Sequence, residues 1–291
     1  LQREESMSYG IGFALLSMSL SGINDVIFKH YSVGDRSRGM LLFGVGLIWT
    51  LAQWMLTLIQ ETPLEFNHPT LTFGLMAGVF LTLSNLLLLE SFRYLDVSLG
   101  TTIYRLNTIG VVLLSFLLLH ETFGWIKGFG ILLGLVGVFL LYKSKSPQSH
   151  QKQLLLFVGL AGIASLFRAA YGVSTKAGLL EDANRNAMLL VIASSWIVGG
   201  ALYAIFREKR FRLNWEKARF ILISSILVVG IANFLMLAVQ HGEASTVIPV
   251  ANMSFVIAIL LSTALKMERL SVKKIAAIIC AAGSIFLLAQ A

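Results

Sequence analysis

The chain has 291 residues, 56% hydrophobic and 13% charged, and its mean hydropathy of +0.79 excludes an ordinary soluble domain. A net charge of +8 would fit a nucleic-acid binder, but the basic residues fall mostly in short loops between apolar runs, where membrane topology accounts for them; no nucleic-acid partner is expected. A single cysteine, Cys280, allows neither an internal disulfide nor a thiolate metal site, so cysteine usage gives no redox or metal argument; no cofactor and no metal are expected.

In chain order, Leu1 to Ser6 carries Arg3, Glu4 and Glu5 rather than a cationic leader, and the apolar run after it reads as a retained first helix. The predicted spans are Ser8 to Phe28, Gly39 to Ile59, Leu71 to Phe92, Ser98 to Leu119 and Phe123 to Tyr142. A second set follows: Leu154 to Thr175, Ala187 to Phe206, Ala218 to Val239, Ser245 to Leu265 and Val272 to Ala289. Each is roughly 20 residues long and nearly free of charge, enough to cross about 30 Å of hydrocarbon. The gaps are too short for a soluble domain, and no phosphate-cradling glycine motif occurs, which argues against an ATP-hydrolysing module.

Sliding the chain by 147 residues superposes it on itself. The shift aligns Gly12 with Gly159, Lys29 with Lys176, Arg38 with Arg185, Trp49 with Trp196, Glu121 with Glu268 and Lys127 with Lys274. A one-residue adjustment brings Asn85 onto Asn233. Charged residues and tryptophan are rare in membrane helices, so their repetition in order marks a duplication. An odd number of helices per copy forces the second copy to enter the membrane from the opposite side. The predicted fold is therefore an all-α integral membrane protein of ten transmembrane helices, two inverted five-helix repeats over residues 1–147 and 148–291. Inverted duplication is a recurrent architecture of secondary transporters and puts the solute site between the halves.

With a lysine ending the first helix of each half (Lys29, Lys176) and an arginine entering the second (Arg38, Arg185), the chain resembles the drug/metabolite transporter superfamily, EamA-type branch. The closing elements agree: His120-Glu121-Thr122 and Met267-Glu268-Arg269, each before a small-residue-rich fifth helix. The resemblance covers nearly the whole chain. It implies a multi-pass carrier that exports amino acids, drugs or metabolites, or exchanges sugar conjugates, and leaves the solute open. The chain departs from the family pattern at Tyr104-Arg105-Leu106-Asn107, where many relatives have an apolar or proline-containing stretch; the second half keeps Ile248-Pro249.

Ionisable groups inside spans are costly unless paired or facing water, which makes each a functional candidate. Asp25 and Glu90 are the candidate proton carriers; Arg105 and Arg168 are candidate clamps for a carboxylate or phosphate. Two acids and two bases can equally neutralise each other as structural ion pairs. The repeat does not duplicate these charges: Asp25 aligns with Gly172, Arg105 with Asn252 and Arg168 with Ser21. Asn85, Asn233 and Asn252 are amides that can bond a solute or join helices. Asn24 and Tyr171, aligned by the repeat, are expected to face each other across the pseudo-two-fold as pocket liners. Pro249 removes a backbone donor in the ninth span and frees a carbonyl, which is expected either to line a cavity or simply to accompany a kink. Glu121 and Glu268 read as helix-capping or loop-fixing groups, and Lys29 and Lys176 as lysines that snorkel to the interface.

The expected activity is secondary active transport of a small polar solute, proton-coupled export or exchange, with a channel or a membrane assembly protein as the alternative. An intramembrane enzyme is disfavoured, since no HExxH helix, GxSxG elbow or acidic metal cluster is present. The expected setting is the inner (plasma) membrane, with a small-molecule substrate and the lipid bilayer as partners, as monomer or homodimer. One set of loops, including Arg36, Arg38, Arg207, Lys209, Arg210, Arg212 and Lys217, holds most of the basic residues; the other holds little beyond Arg3, Lys127, Lys176 and Arg185. The charge rule places the rich set in the cytoplasm and both termini outside, whereas the resemblance implies both termini inside.

Overall fold

The computed structural model describes residues 2–33, 36–91, 104–140, 151–209, 211–264 and 271–290. The first half consists of α1 (Gln2–Val33), α2 (Arg38–Ile59), α3 (His68–Ser91), α4 (Asn107–Leu118) and α5 (Trp125–Leu140). The second consists of α6 (Gln151–Leu180), α7 (Arg185–Leu202, continued by a π-helical turn Tyr203–Glu208), α8 (Trp215–His241), α9 (Ala244–Ala251), α10 (Phe255–Ala264) and α11 (Val272–Leu288). The helices α9 and α10 form one interrupted rod, joined through Asn252–Ser254, so the architecture is ten transmembrane helices in two inverted five-helix repeats. Their outward faces carry leucine, isoleucine and phenylalanine, as lipid requires: Leu51, Leu113, Leu166 and Ile226 are all more than half exposed.

The helices begin where the sequence supplies a cap, and the caps follow the repeat. Ser37 accepts a hydrogen bond from the Met40 amide at the start of α2. Asn184, at the equivalent position, accepts from Ala187 at the start of α7. Asn67 accepts from Thr70 at α3, and Asn214, again 147 residues on, accepts from Lys217 at α8. Each cap satisfies an amide that the first turn leaves without an intrahelical partner.

Packing shows the same symmetry. The helix α3 lies along α6, and its counterpart α8 lies along α1. Two pairs, α2 with α7 and α5 with α11, are their own counterparts when the halves are exchanged. At the α2–α7 crossing the backbones touch: a Cβ on Gly200 would sit 2.4 Å from the Phe43 nitrogen, and one on Gly39 2.5 Å from the Ala204 nitrogen. Close approach through glycine lets dispersion hold two apolar helices together where lipid supplies no hydrophobic driving force.

The fourth span of each half is broken. Tyr104 and Arg105 are helical, Leu106 is a turn residue (φ −64°, ψ −6°), and α4 begins at Asn107. In the second half Met253 (φ −78°, ψ 15°) interrupts the rod at the equivalent residue. From sequence, a kink at Pro249 is one of two expectations for the ninth span. The proline lies within α9, and the break falls beyond it, where Asn252 and its neighbours bond across to the first half. Elsewhere the observed helices extend past the predicted spans: α6 runs to Leu180, and α1 continues beyond both ends through the mostly polar stretches 2–7 and 29–33.

Candidate functional site

The broken segments meet at the pseudo-two-fold axis. The Asn252 amide donates to Asn107 Oδ1 at 2.6 Å and to Thr108 Oγ1 at 3.2 Å. The symmetry-related contact joins Arg105, the counterpart of Asn252, to Ser254, the counterpart of Asn107, at 2.9 Å. Arg105 also donates to the Asn252 carbonyl at 2.6 Å. A kinked helix leaves carbonyls without helical donors, and a side chain from the opposite half satisfies this one.

Beside this crossing lies a cavity of about 170 Å³ that both halves line. Ser17, Ser21, Asn24 and Asp25 come from α1, Asn85 from α3, and Arg168 and Tyr171 from α6. Arg105 and Asn252 close one wall, and Trp49, Trp196, Leu81 and Ile248 make much of the apolar remainder. Of the nine residues that sequence reasoning singles out, seven line this cavity: Asn24, Asp25, Asn85, Arg105, Arg168, Tyr171 and Asn252.

The two arginines differ in their partners. Arg105 donates to Asp25 Oδ2 at 2.6 Å, and the same oxygen accepts from Ser254 at 3.0 Å. Its guanidinium also stands 5.6 Å from the centre of the Phe255 ring. Arg105 is thus neutralised and held by four groups. Arg168 has no ion pair and no hydrogen bond among the described residues; its guanidinium lies over the Tyr171 ring, 5.1 Å from the centroid. Of the ion pairs that two acids and two bases could make, the Arg105–Asp25 pair forms, and Arg168 remains without an acid.

Three further polar atoms at the cavity are buried without a hydrogen-bond partner among the described residues: Asn24 Oδ1, Trp49 Nε1 and Trp196 Nε1. The two indoles, equivalent in the repeat, pack edge to face with centroids 5.7 Å apart and planes at 87°. In that geometry one ring offers its edge to the other's face, so at most one N–H is satisfied by a π-system. Sequence reasoning aligned these tryptophans but did not place them at the site. Their identity at a shift of 147 residues, in a chain with five tryptophans, was the available signal.

Two expected residues lie elsewhere. Asn233 pairs with Gln53, donating to its Oε1 at 2.8 Å, which joins α8 to α2. Glu90 sits at the helix ends. It accepts from the Tyr203 hydroxyl at 2.5 Å and faces Arg207 at 3.6 Å and Arg38 at 3.9 Å. The π-helical turn Tyr203–Glu208 brings Tyr203 and Glu208 to this cluster, where Glu208 accepts from Ser37 and from the first amides of α2. Tyr31 donates to the Ser37 carbonyl at 2.6 Å, and burial, aided by Glu208, pushes its phenol above the ordinary tyrosine range.

At the opposite helix ends, Glu121 accepts from the Ala244 and Ser245 amides at 2.7 and 2.9 Å, capping α9 across the halves. Lys127, counted from sequence as a loop lysine, is 2% exposed. It bonds Glu243, the Thr122 carbonyl and Ser245 Oγ. Lys176 donates to the Val239 and Gly242 carbonyls at 2.8 Å each, tying off the end of α8. Glu268 and the Lys29 side chain lie outside the described residues.

A bundle of inverted repeats with broken helices beside a cavity that both halves line fits a membrane transporter fold. The sequence profile of the EamA-like transporter family matches residues 8–143 and 155–290, one match per half, and the chain belongs to that family. A solved structure titled "Crystal structure of protein" shares the fold, with a TM-score of 0.78 at 15% identity over 97% of this chain and 96% of that one. Among curated proteins no match was found.

Proposed function

We propose that the protein is a secondary active carrier that binds a small polar solute in the central cavity and exposes it alternately to the two sides of the inner (plasma) membrane. The observation that carries this reading is the cavity itself: both repeats line it, it lies beside two helix breaks at equivalent positions, and it holds intramembrane charge. Broken helices put backbone groups freed from the helical ladder, and hinges, beside the cavity, as is typical of carriers of this architecture. Exchange of roles between the repeats is supported by the reciprocal packing of α3 with α6 and α8 with α1.

Coupling to protons runs through Asp25 in this reading. Its side chain is 40% exposed and lines the cavity, so a proton can reach it from the solute pathway, and protonation would release Arg105 from its counter-ion. The carrier works as an exporter or exchanger, and the basic loop around Arg207–Arg212 faces the cytoplasm. Reconstituted vesicles test the reading with a panel of labelled small solutes: a carrier shows counterflow of at least one, while equilibration without counterflow indicates a pore. Asp25→Asn should abolish proton-driven accumulation and leave exchange in place. A single cysteine introduced into the 207–212 loop, with Cys280 replaced, should resist an impermeant thiol reagent in intact cells; ready labelling reverses the orientation.

A further inference from the structure

Among the described residues, the charges around the cavity do not cancel. Its ionisable lining is Asp25, Arg105 and Arg168, with the hydroxyls of Tyr104 and Tyr171. Asp25 and Arg105 neutralise one another at 2.6 Å, which leaves the cavity one positive charge in excess on Arg168. An uncompensated cation at membrane depth costs several kcal/mol unless something pairs with it. Arg168 faces an aromatic ring, a weaker partner than a carboxylate. Glu90, the other acid late in α3, is engaged at the helix ends by Tyr203, Arg38 and Arg207.

We infer that the solute is a small organic carboxylate with an apolar body, and that Arg168, not Arg105, is its anion-binding residue. This rests on the carrier reading of the same cavity. A guanidinium with a free donor fork takes a carboxylate through two parallel hydrogen bonds. Arg105 already gives three of its five donors to Asp25, Ser254 and the Asn252 carbonyl, and Asp25 neutralises its charge. The apolar body then lies against Trp49, Trp196, Leu81 and Ile248. Binding restores charge neutrality inside the bundle, so the loaded cavity crosses the membrane at lower cost than the empty one, which favours exchange over net flux.

The test uses three probes of one shape, 3-phenylpropionate, 3-phenylpropionamide and 3-phenylpropylamine, with the purified full chain in detergent. Binding is read by thermal shift and by fluorescence of the cavity tryptophans. The carboxylate should bind and raise the melting temperature, and the amide and amine should not. Arg168→Gln should weaken carboxylate binding by about tenfold or more while the unliganded protein melts at the same temperature or higher, since an unpaired charge has been removed. Arg168→Lys should retain part of the affinity. A purely structural Arg168 would instead lower the melting temperature of the unliganded variant. Equal binding of the three probes, binding of the neutral or cationic probe alone, binding of none, or full carboxylate affinity in Arg168→Gln would each overturn the inference. Counterflow of labelled 3-phenylpropionate separates the two claims: carboxylate binding with passive leak removes the carrier reading and keeps the anion site, and counterflow of neutral or cationic solutes alone does the reverse.

Discussion

The helix ends and the central cavity treat the duplication in opposite ways. At the ends, equivalent residues do equivalent work: Asn67 and Asn214 cap α3 and α8, and Ser37 and Asn184 cap α2 and α7. At the cavity, the backbone breaks repeat but the charges do not. Arg105 stands where the second half has Asn252, Arg168 where the first has Ser21, and Asp25 where the second has Gly172. Scaffold demands are the same for both copies, whereas a solute has one orientation in the pocket and asks for one set of groups. Symmetry in the backbone with asymmetry in the side chains is what a carrier of an unsymmetrical solute requires.

Substitutions ranked by expected effect probe that division. The largest falls on the asymmetric crossing. Arg105→Ala strands Asp25 and frees the Asn252 carbonyl, and should destabilise the protein by about 3 kcal/mol, the low end of the range for a broken buried pair because Asp25 is partly exposed. Chemical denaturation in mild detergent measures it, and Asp25→Asn combined with Arg105→Gln should recover part of the loss. Next is the glycine crossing. Gly200→Ala meets backbone rather than a movable side chain, so α2 and α7 must separate at roughly 1–3 kcal/mol, read as a lowered melting temperature. The smallest effects belong to the symmetric caps. Asn67→Ala and Asn214→Ala should each cost about 1 kcal/mol, nearly equally and additively. Markedly unequal costs would show that the halves bear unequal loads.

Much of this was legible before any coordinates. The repeat and the number of spans follow from rare residues repeated in lipid-spanning runs, because charge, amide and proline inside hydrocarbon must be explained by structure or by solute; the same reasoning singles out residues that the fold gathers along one cavity. What stayed hidden depends on geometry. Arg105 and Arg168 look alike in sequence, and only the distances to Asp25 and Ser254 separate the paired from the unpaired. Glu90 read as intramembrane because α3 is apolar up to its end, but the π-helical turn after α7 reaches across to collect it. Lys127 looked like a loop lysine because it lies in the first turn of α5; its burial is set by Glu243 and Ser245, more than a hundred residues away. The asparagine caps could have been found by reading the 147-residue shift through the loops as well as the helices.

In the proposed transport cycle, one cavity between the repeats serves both sides of the membrane. Ser21 lines that cavity opposite the Arg168 position in the repeat, and Ser21→Cys in a chain with Cys280→Ser places a single thiol there. Labelling with an impermeant maleimide, in right-side-out and in inverted vesicles, measures its access. The thiol should react from both sides and be protected from both by a transported solute. Reaction from one side only, unaltered by any solute that the protein carries, would contradict alternating access through this cavity.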